Sequence, residues 1–331
     1  MKLTHEQIKS ITLGAAYIEF IDEKTVFHRF TKEQENFYKE VSDNFYNKTS
    51  ATSCIHLEFE TDSASLFIKT QVKPRSSRNY YSHDIFVDGK FFEALSGKLD
   101  EKEIDIISKS FDFGKRGVKK NICIHLPWSC SSDIIELAID DNAYVIPIKR
   151  SRKMICFGDS ITQGYDATHS SNSYAAKLTT AFDTETRNKG IGGEIFRPEL
   201  AKLKDHNFEP DIITVAYGTN DWYTEISKDV LVDRINNFLD ALVQNYSSAK
   251  IFMISPIWRA DWKAKHMFGD FLSLKEELLA ASNKHPSVTL IDGFDFIPQE
   301  CELFSDKYLH PNDDGFSYYA KKLINELEKH F

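Results

Sequence analysis

Cysteine is scarce. Cys54, Cys123, Cys130, Cys156 and Cys301 are odd in number and scattered through 331 residues. That pattern fits reduced thiols in a cytoplasm better than a disulfide framework or a zinc site; a Cys123–Cys130 pair is the alternative for a secreted chain. Long hydrophobic runs are missing as well: no stretch approaches the ~20 apolar residues that span a bilayer. Met1 to Ser10 also lacks the apolar centre of an export signal, and a cytoplasmic chain without a membrane partner is the expectation. Positive charge is in deficit, with 41 basic against 50 acidic residues and a net charge of -9. This argues against nucleic acid as a partner and points to a neutral substrate. No internal repeat or low-complexity tract is visible.

What is present falls into two rhythms. From about residue 12 to 150 the chain alternates apolar and polar residues, as in Cys54-Ile-His-Leu-Glu-Phe-Glu, Ser65-Leu-Phe-Ile-Lys-Thr-Gln-Val and Asp84-Ile-Phe-Val-Asp-Gly-Lys. Helical periodicity is confined to Lys32 to Val41. Period two with tight turns predicts an antiparallel β-sandwich of jelly-roll type for residues 1–150. Beyond Pro147 short apolar runs (Met154 to Phe157, Ile212 to Ala216, Ile251 to Ile254, Val288 to Ile291) alternate with helical stretches at Val230 to Val243 and Phe316 to Leu327. Strands alternating with helices predict an α/β fold with a parallel sheet, three-layered and flavodoxin-like, over residues 151–331.

Four blocks of the second half carry chemistry. In Gly158-Asp-Ser-Ile-Thr, an apolar strand turns at a glycine and delivers Ser160 to the mouth of a helix, which makes it the nucleophile candidate. Taken alone, a Gly-Asp-Ser tripeptide is more often a turn with a helix cap. Asn188-Lys-Gly-Ile-Gly-Gly offers glycines where a backbone N–H must approach another group, or reads as a flexible turn. Gly218-Thr-Asn-Asp follows a buried-type strand, so Asn220 emerges at its exit, either as a donor to an oxyanion or as turn chemistry. In Asp306-Lys-Tyr-Leu-His-Pro, His310 sits in a loop behind a carboxylate, the setting of an oriented general base.

In order and content these blocks resemble the SGNH hydrolases, the GDSL esterase superfamily, over roughly residues 152 to 325. The resemblance implies that Ser160 is the nucleophile and its N–H an oxyanion donor. It further implies that Gly193 and Asn220 are the second and third donors and that His310 is the base. One position departs from the family pattern, which sets an aspartate three residues before the histidine. Here that place holds Lys307, and Asp306 lies four before. Asp306 is the expected third member, with a Ser-His dyad oriented by a backbone carbonyl as the alternative. Nucleophile, base and charge stabilisation are then accounted for, and no cofactor or metal is expected.

Trp222, Trp258 and Trp262 lie just beyond strand ends, near Tyr223 and Arg259. Aromatic rings stack on sugars and arginine binds hydroxyl or carboxylate groups. Trp222, Tyr223, Trp258 and Arg259, with Asp159 beside the serine, are therefore the expected substrate-binding residues; simple packing is the competing reading. A β-sandwich ahead of an SGNH domain also resembles carbohydrate esterase family two. That resemblance implies removal of short acyl groups, acetyl above all, from a small or oligosaccharide ester. A lipase or thioesterase of broader acyl range and a catalytically weak sugar-binding protein are the alternatives, and self-association is left open.

Overall fold

The computed structural model describes residues 1–100, 104–224 and 226–331. Within it the chain forms two compact units.

The first unit comprises Met1–Arg150, His169–Ser171 and Glu185–Arg187. It holds two antiparallel sheets, one built around His56–Thr61, Lys120–His125, Tyr80–Val87 and Lys90–Lys98, the other around Lys24–His28, Cys130–Ile139, Ser65–Pro74 and Asp105–Asp112. Alternation explains the burial. Leu57, Phe59, Ile85, Ile122 and Ile124 from one sheet share a core with Leu66, Ile68, Phe111, Ile134 and Leu137 from the other. The helix Lys32–Val41 has the bounds its periodicity predicts and is closed by a capping box between Thr31 and Gln34. Two short helices, His5–Ser10 and Asp43–Thr49, escape a reading by period because neither completes two turns.

The second unit is built on a parallel sheet. Its strands are β1 (Arg152–Gly158), β2 (Thr184–Gly190, of which Glu185–Arg187 group with the first unit), β3 (Ile212–Ala216), β4 (Lys250–Ile254) and β5 (Val288–Ile291), in the order β2-β1-β3-β4-β5. Strands β1, β3, β4 and β5 pair in parallel, Met154 with Ile212, Ile212 with Lys250, and Ile251 with Val288. This order places the topological switch between β1 and β3, where open α/β sheets bind ligands at the carboxyl ends of their strands. Helix Lys228–Asn245 buries Leu231, Ile235, Phe238, Leu239 and Leu242, and helix Asp313–Glu328 buries Phe316, Tyr319, Ala320, Leu323 and Leu327. Both follow the helical period.

Strand β2 has no apolar run to announce it. Its Lys189 is buried and paired with the equally buried Asp205 at 2.8 Å. All five cysteines are free thiols. Among the described residues no helix is long and apolar enough to cross a membrane.

Candidate active site

Strand β1 ends at Gly158, where a Cβ would lie 1.9 Å from Thr162 Oγ1. Only glycine lets the chain turn that tightly. Asp159 then caps the single helical turn Ser160–Gln163 by accepting the Ile161 N–H at 2.9 Å, and Ser160 becomes its first residue. The first N–H groups of a helix have no internal acceptor. Among the described residues neither the Ser160 N–H nor the Gly193 N–H donates a hydrogen bond.

The histidine comes from the loop between β5 and the last helix. His310 Nε2 lies 2.9 Å from Ser160 Oγ, and its Nδ1 lies 2.7 Å from Asp306 Oδ2. With a proton on Nδ1 directed at the carboxylate, Nε2 carries the lone pair facing the serine hydroxyl. The departure at Lys307 is absorbed by backbone conformation: this residue takes a left-handed φ of 59°. Asp306 is held in turn by its own loop, with Oδ1 accepting the N–H groups of Tyr308, Leu309 and His310 at 2.9, 2.8 and 3.0 Å. Burial pushes this carboxyl up, but the hydrogen bonds from the His310 ring and from the Leu309 and His310 N–H groups outweigh it. Its pKa stays well below the usual carboxylate range.

Two neighbours of His310 leave no mark in a reading by motif. The Tyr165 ring stacks on the imidazole at a centroid distance of 5.5 Å, and Asp166 Oδ2 stands 4.0 Å from Nδ1. Their proximity arises only after the turn at Gly164 folds the chain back.

Gly193 has a φ of 87° and open space where a side chain would project. Asn220 Nδ2 donates to the carbonyl of Glu194 at 2.9 Å, and the Phe196 N–H donates to Asp221 Oδ1 at 3.1 Å. The Gly193 and Asn220 loops are thus stitched together. Asn220 also borders a chamber of about 200 Å³ whose walls are Tyr223, Arg259, Tyr308 and Leu309.

The expected substrate-binding set requires correction. Trp222 is fully buried, its Nε1 bonded to the Gly269 carbonyl at 2.9 Å and its ring packed against His266 and Phe271. Trp258 is buried with its ring on Phe304. Neither presents a face to a sugar. Asp159 is buried, occupied in capping, and raised to about 6 by burial. Arg259 lines the chamber, yet its donors point into the protein: Nη1 bonds both Thr219 oxygens, Nε and Nη2 grip the Asp261 carboxylate, and Nη2 also reaches Tyr308 Oη. Tyr223 is 58% exposed and borders the chamber. The proximity of Trp and Arg in sequence reflects an aromatic cage around a buried guanidinium, with centroids of Trp222, Tyr223 and Tyr308 at 5.0, 5.6 and 5.3 Å.

Three solved structures align over 85% or more of the chain. A salicylyl-acyltransferase, SsfX3, from a tetracycline biosynthetic pathway is 20% identical, with a TM-score of 0.82 over 96% of this chain and 94% of its own. A family two carbohydrate esterase from Cellvibrio japonicus is 15% identical, with a TM-score of 0.68 over 96% and 94%. Another from Clostridium thermocellum, in complex with cellohexaose, is 16% identical, with a TM-score of 0.65 over 85% and 93%. At such identities the likeness is one of fold. No curated protein matches the chain. Residues 156–317 match the GDSL-like Lipase/Acylhydrolase family, and this segment, which runs from β1 through the His310 loop, is a GDSL-like lipase/acylhydrolase domain.

Proposed function

We propose that the chain is a serine esterase that removes short acyl groups, acetyl first among them, from carbohydrate hydroxyls. The observation that carries this reading is the hydrogen-bond chain from Ser160 Oγ through His310 to Asp306, at 2.9 and 2.7 Å. In the first step His310 Nε2 takes the hydroxyl proton as Ser160 Oγ bonds to the ester carbonyl carbon. The N–H groups of Ser160 and Gly193 and the Asn220 amide receive the negative oxygen. The carbonyl then re-forms, the C–O bond to the sugar breaks, and the same proton passes to the leaving alkoxide. Water, deprotonated by His310, attacks the acyl-Ser160 ester; the proton returns to Ser160 Oγ as the free acid departs.

Support for a neutral, sugar-like alcohol comes from the chamber beside Asn220. Tyr223, a largely exposed aromatic residue, lines it, and the charge of Arg259 is matched by Asp261. Two neighbours by fold are carbohydrate esterases, one holding cellohexaose. The acyltransferase neighbour favours a second reading in which another hydroxyl replaces water in resolving the acyl-enzyme. The proposal extends to architecture and place: a jelly-roll-like domain over residues 1–150, a three-layer hydrolase domain over 151–331, and a cytoplasmic site of action supported by the five free thiols.

The test is acetate release from acetylated mono- and oligosaccharides by the wild-type chain and by Ser160→Ala. Turnover in the former and its loss in the latter are expected. Equal release by both, or no labelling of Ser160 by a fluorophosphonate, would remove the esterase reading. Preference for long acyl chains in an aryl-ester series would shift it to a lipase or thioesterase.

A further inference from the structure

We infer that Arg259 is a positioning residue, a clamp that fixes the loop carrying Asn220 and the loop carrying His310 at one spacing; this rests on the esterase reading above. Arg259 is 2% exposed and makes five hydrogen bonds, none left for a substrate. Two go from Nη1 to the carbonyl and hydroxyl oxygens of Thr219, each at 3.0 Å. Thr219 is bonded through the peptide link to Asn220. Another goes from Nη2 to Tyr308 Oη at 2.9 Å. Tyr308 stands between Asp306 and His310, and its own N–H is one of the three that Asp306 accepts.

The remaining two bonds make a bidentate pair with Asp261, at 2.5 Å from Nε and 3.1 Å from Nη2. Asp261 also accepts the Tyr308 hydroxyl proton. The backbone repeats the link, since the Ala260 N–H donates to the Tyr308 carbonyl at 2.9 Å. Guanidinium, carboxylate and phenol thus close a small network whose arms end on the two loops. A planar fork with donors on three nitrogens spans these acceptors; a lysine, with one ammonium, meets only part of them. Because Asp261 matches its charge, Arg259 acts through spacing and not through a field on the reacting atoms.

The consequence is specific. Asn220 is assigned to the oxyanion and His310 to the proton, so a clamp that loosens misplaces donor and base relative to each other. Displacement by about 1 Å can lower turnover on the order of 10²-fold. Binding of the alcohol in the chamber changes far less, because no Arg259 donor faces it.

The experiment measures kcat and KM for an aryl acetate with Arg259→Lys, Tyr308→Phe, Asn220→Ala and the Arg259→Lys/Asn220→Ala double variant, with circular dichroism to verify folding. Arg259→Lys should lower kcat on the order of 10²-fold with KM changed by less than about threefold. In the Asn220→Ala background the same substitution should lower kcat clearly less, since part of its effect passes through that amide. Tyr308→Phe removes one hydroxyl from the network and should lower kcat several-fold at constant KM, so it carries the test if Arg259→Lys does not fold. A folded Arg259→Lys with wild-type kcat, losses that simply multiply with Asn220→Ala, or an unaffected Tyr308→Phe would overturn the clamp. Those results arise with wild-type turnover intact; a wild-type chain without Ser160-dependent turnover would instead sink the esterase reading and the clamp with it.

Discussion

At Asp306 two opposing effects meet on one carboxyl. Burial disfavours its charge, while the His310 ring and two backbone N–H groups favour it more strongly, so the folded state holds it ionised below the ordinary carboxylate range. A depressed folded pKa contributes stability that is present above the unfolded value, near 3.9, and is lost as pH falls through the folded value. Asp306→Asn should therefore be less stable than wild type at neutral pH, and the gap in urea midpoint should close in acid. Its kcat should fall on the order of 10²- to 10⁴-fold, because an amide neither fixes the Nδ1 proton nor balances the imidazolium. Full activity in this variant would favour the dyad. The placement of this acid was legible in the sequence despite its shifted spacing, since a left-handed Lys307 supplies the extra residue. The hydrogen bonds of Arg259 were not legible, because its acceptors Thr219 and Tyr308 lie 40 and 49 positions away.

Among elements, the last helix decides where the His310 loop stops. Asn312 accepts the Gly315 N–H at 3.0 Å as its cap, and its amide donates to the Glu302 carbonyl at 2.8 Å. Asn312→Ala removes both contacts and should cost about 1 to 2 kcal/mol. Asn312→Asp keeps the cap and meets the helix dipole favourably, but loses the Glu302 bond, so its urea midpoint should fall between the other two. If alanine and aspartate prove equal, the cap is not what holds this helix start. Apolar strands such as Met154 to Phe157 could be read from the sequence because burial on both faces demands such runs. Strand β2 could not, since it meets burial with the ion pair of Lys189 and Asp205, and local patterns do not report a partner 16 positions away.

For the whole molecule the informative group is Asp84, fully buried in the first unit. It accepts the His169 ring at 2.9 Å, the Ser171 N–H at 2.8 Å and the Ser82 hydroxyl. Burial pushes its carboxyl up, and these bonds together hold it below the usual range. His169 and Ser171 belong to the first unit although they follow Arg150 in the chain. The change of rhythm near residue 150 gives no hint of this, for a histidine and a serine in a short turn carry no period. A fragment of residues 1–150 would lose two of its donors, the His169 ring and the Ser171 N–H, and a carboxylate that stays buried without them typically costs about 3–5 kcal/mol. The same substitution should then act with opposite signs. Asp84→Asn should lower the melting temperature of the full chain, where it discards charge-assisted bonds. In the fragment it should raise the melting temperature, because it removes a charge with too few partners. Calorimetry on both forms at neutral pH decides the matter: a change of the same sign in each would mean that the segment around His169 does not stabilise Asp84.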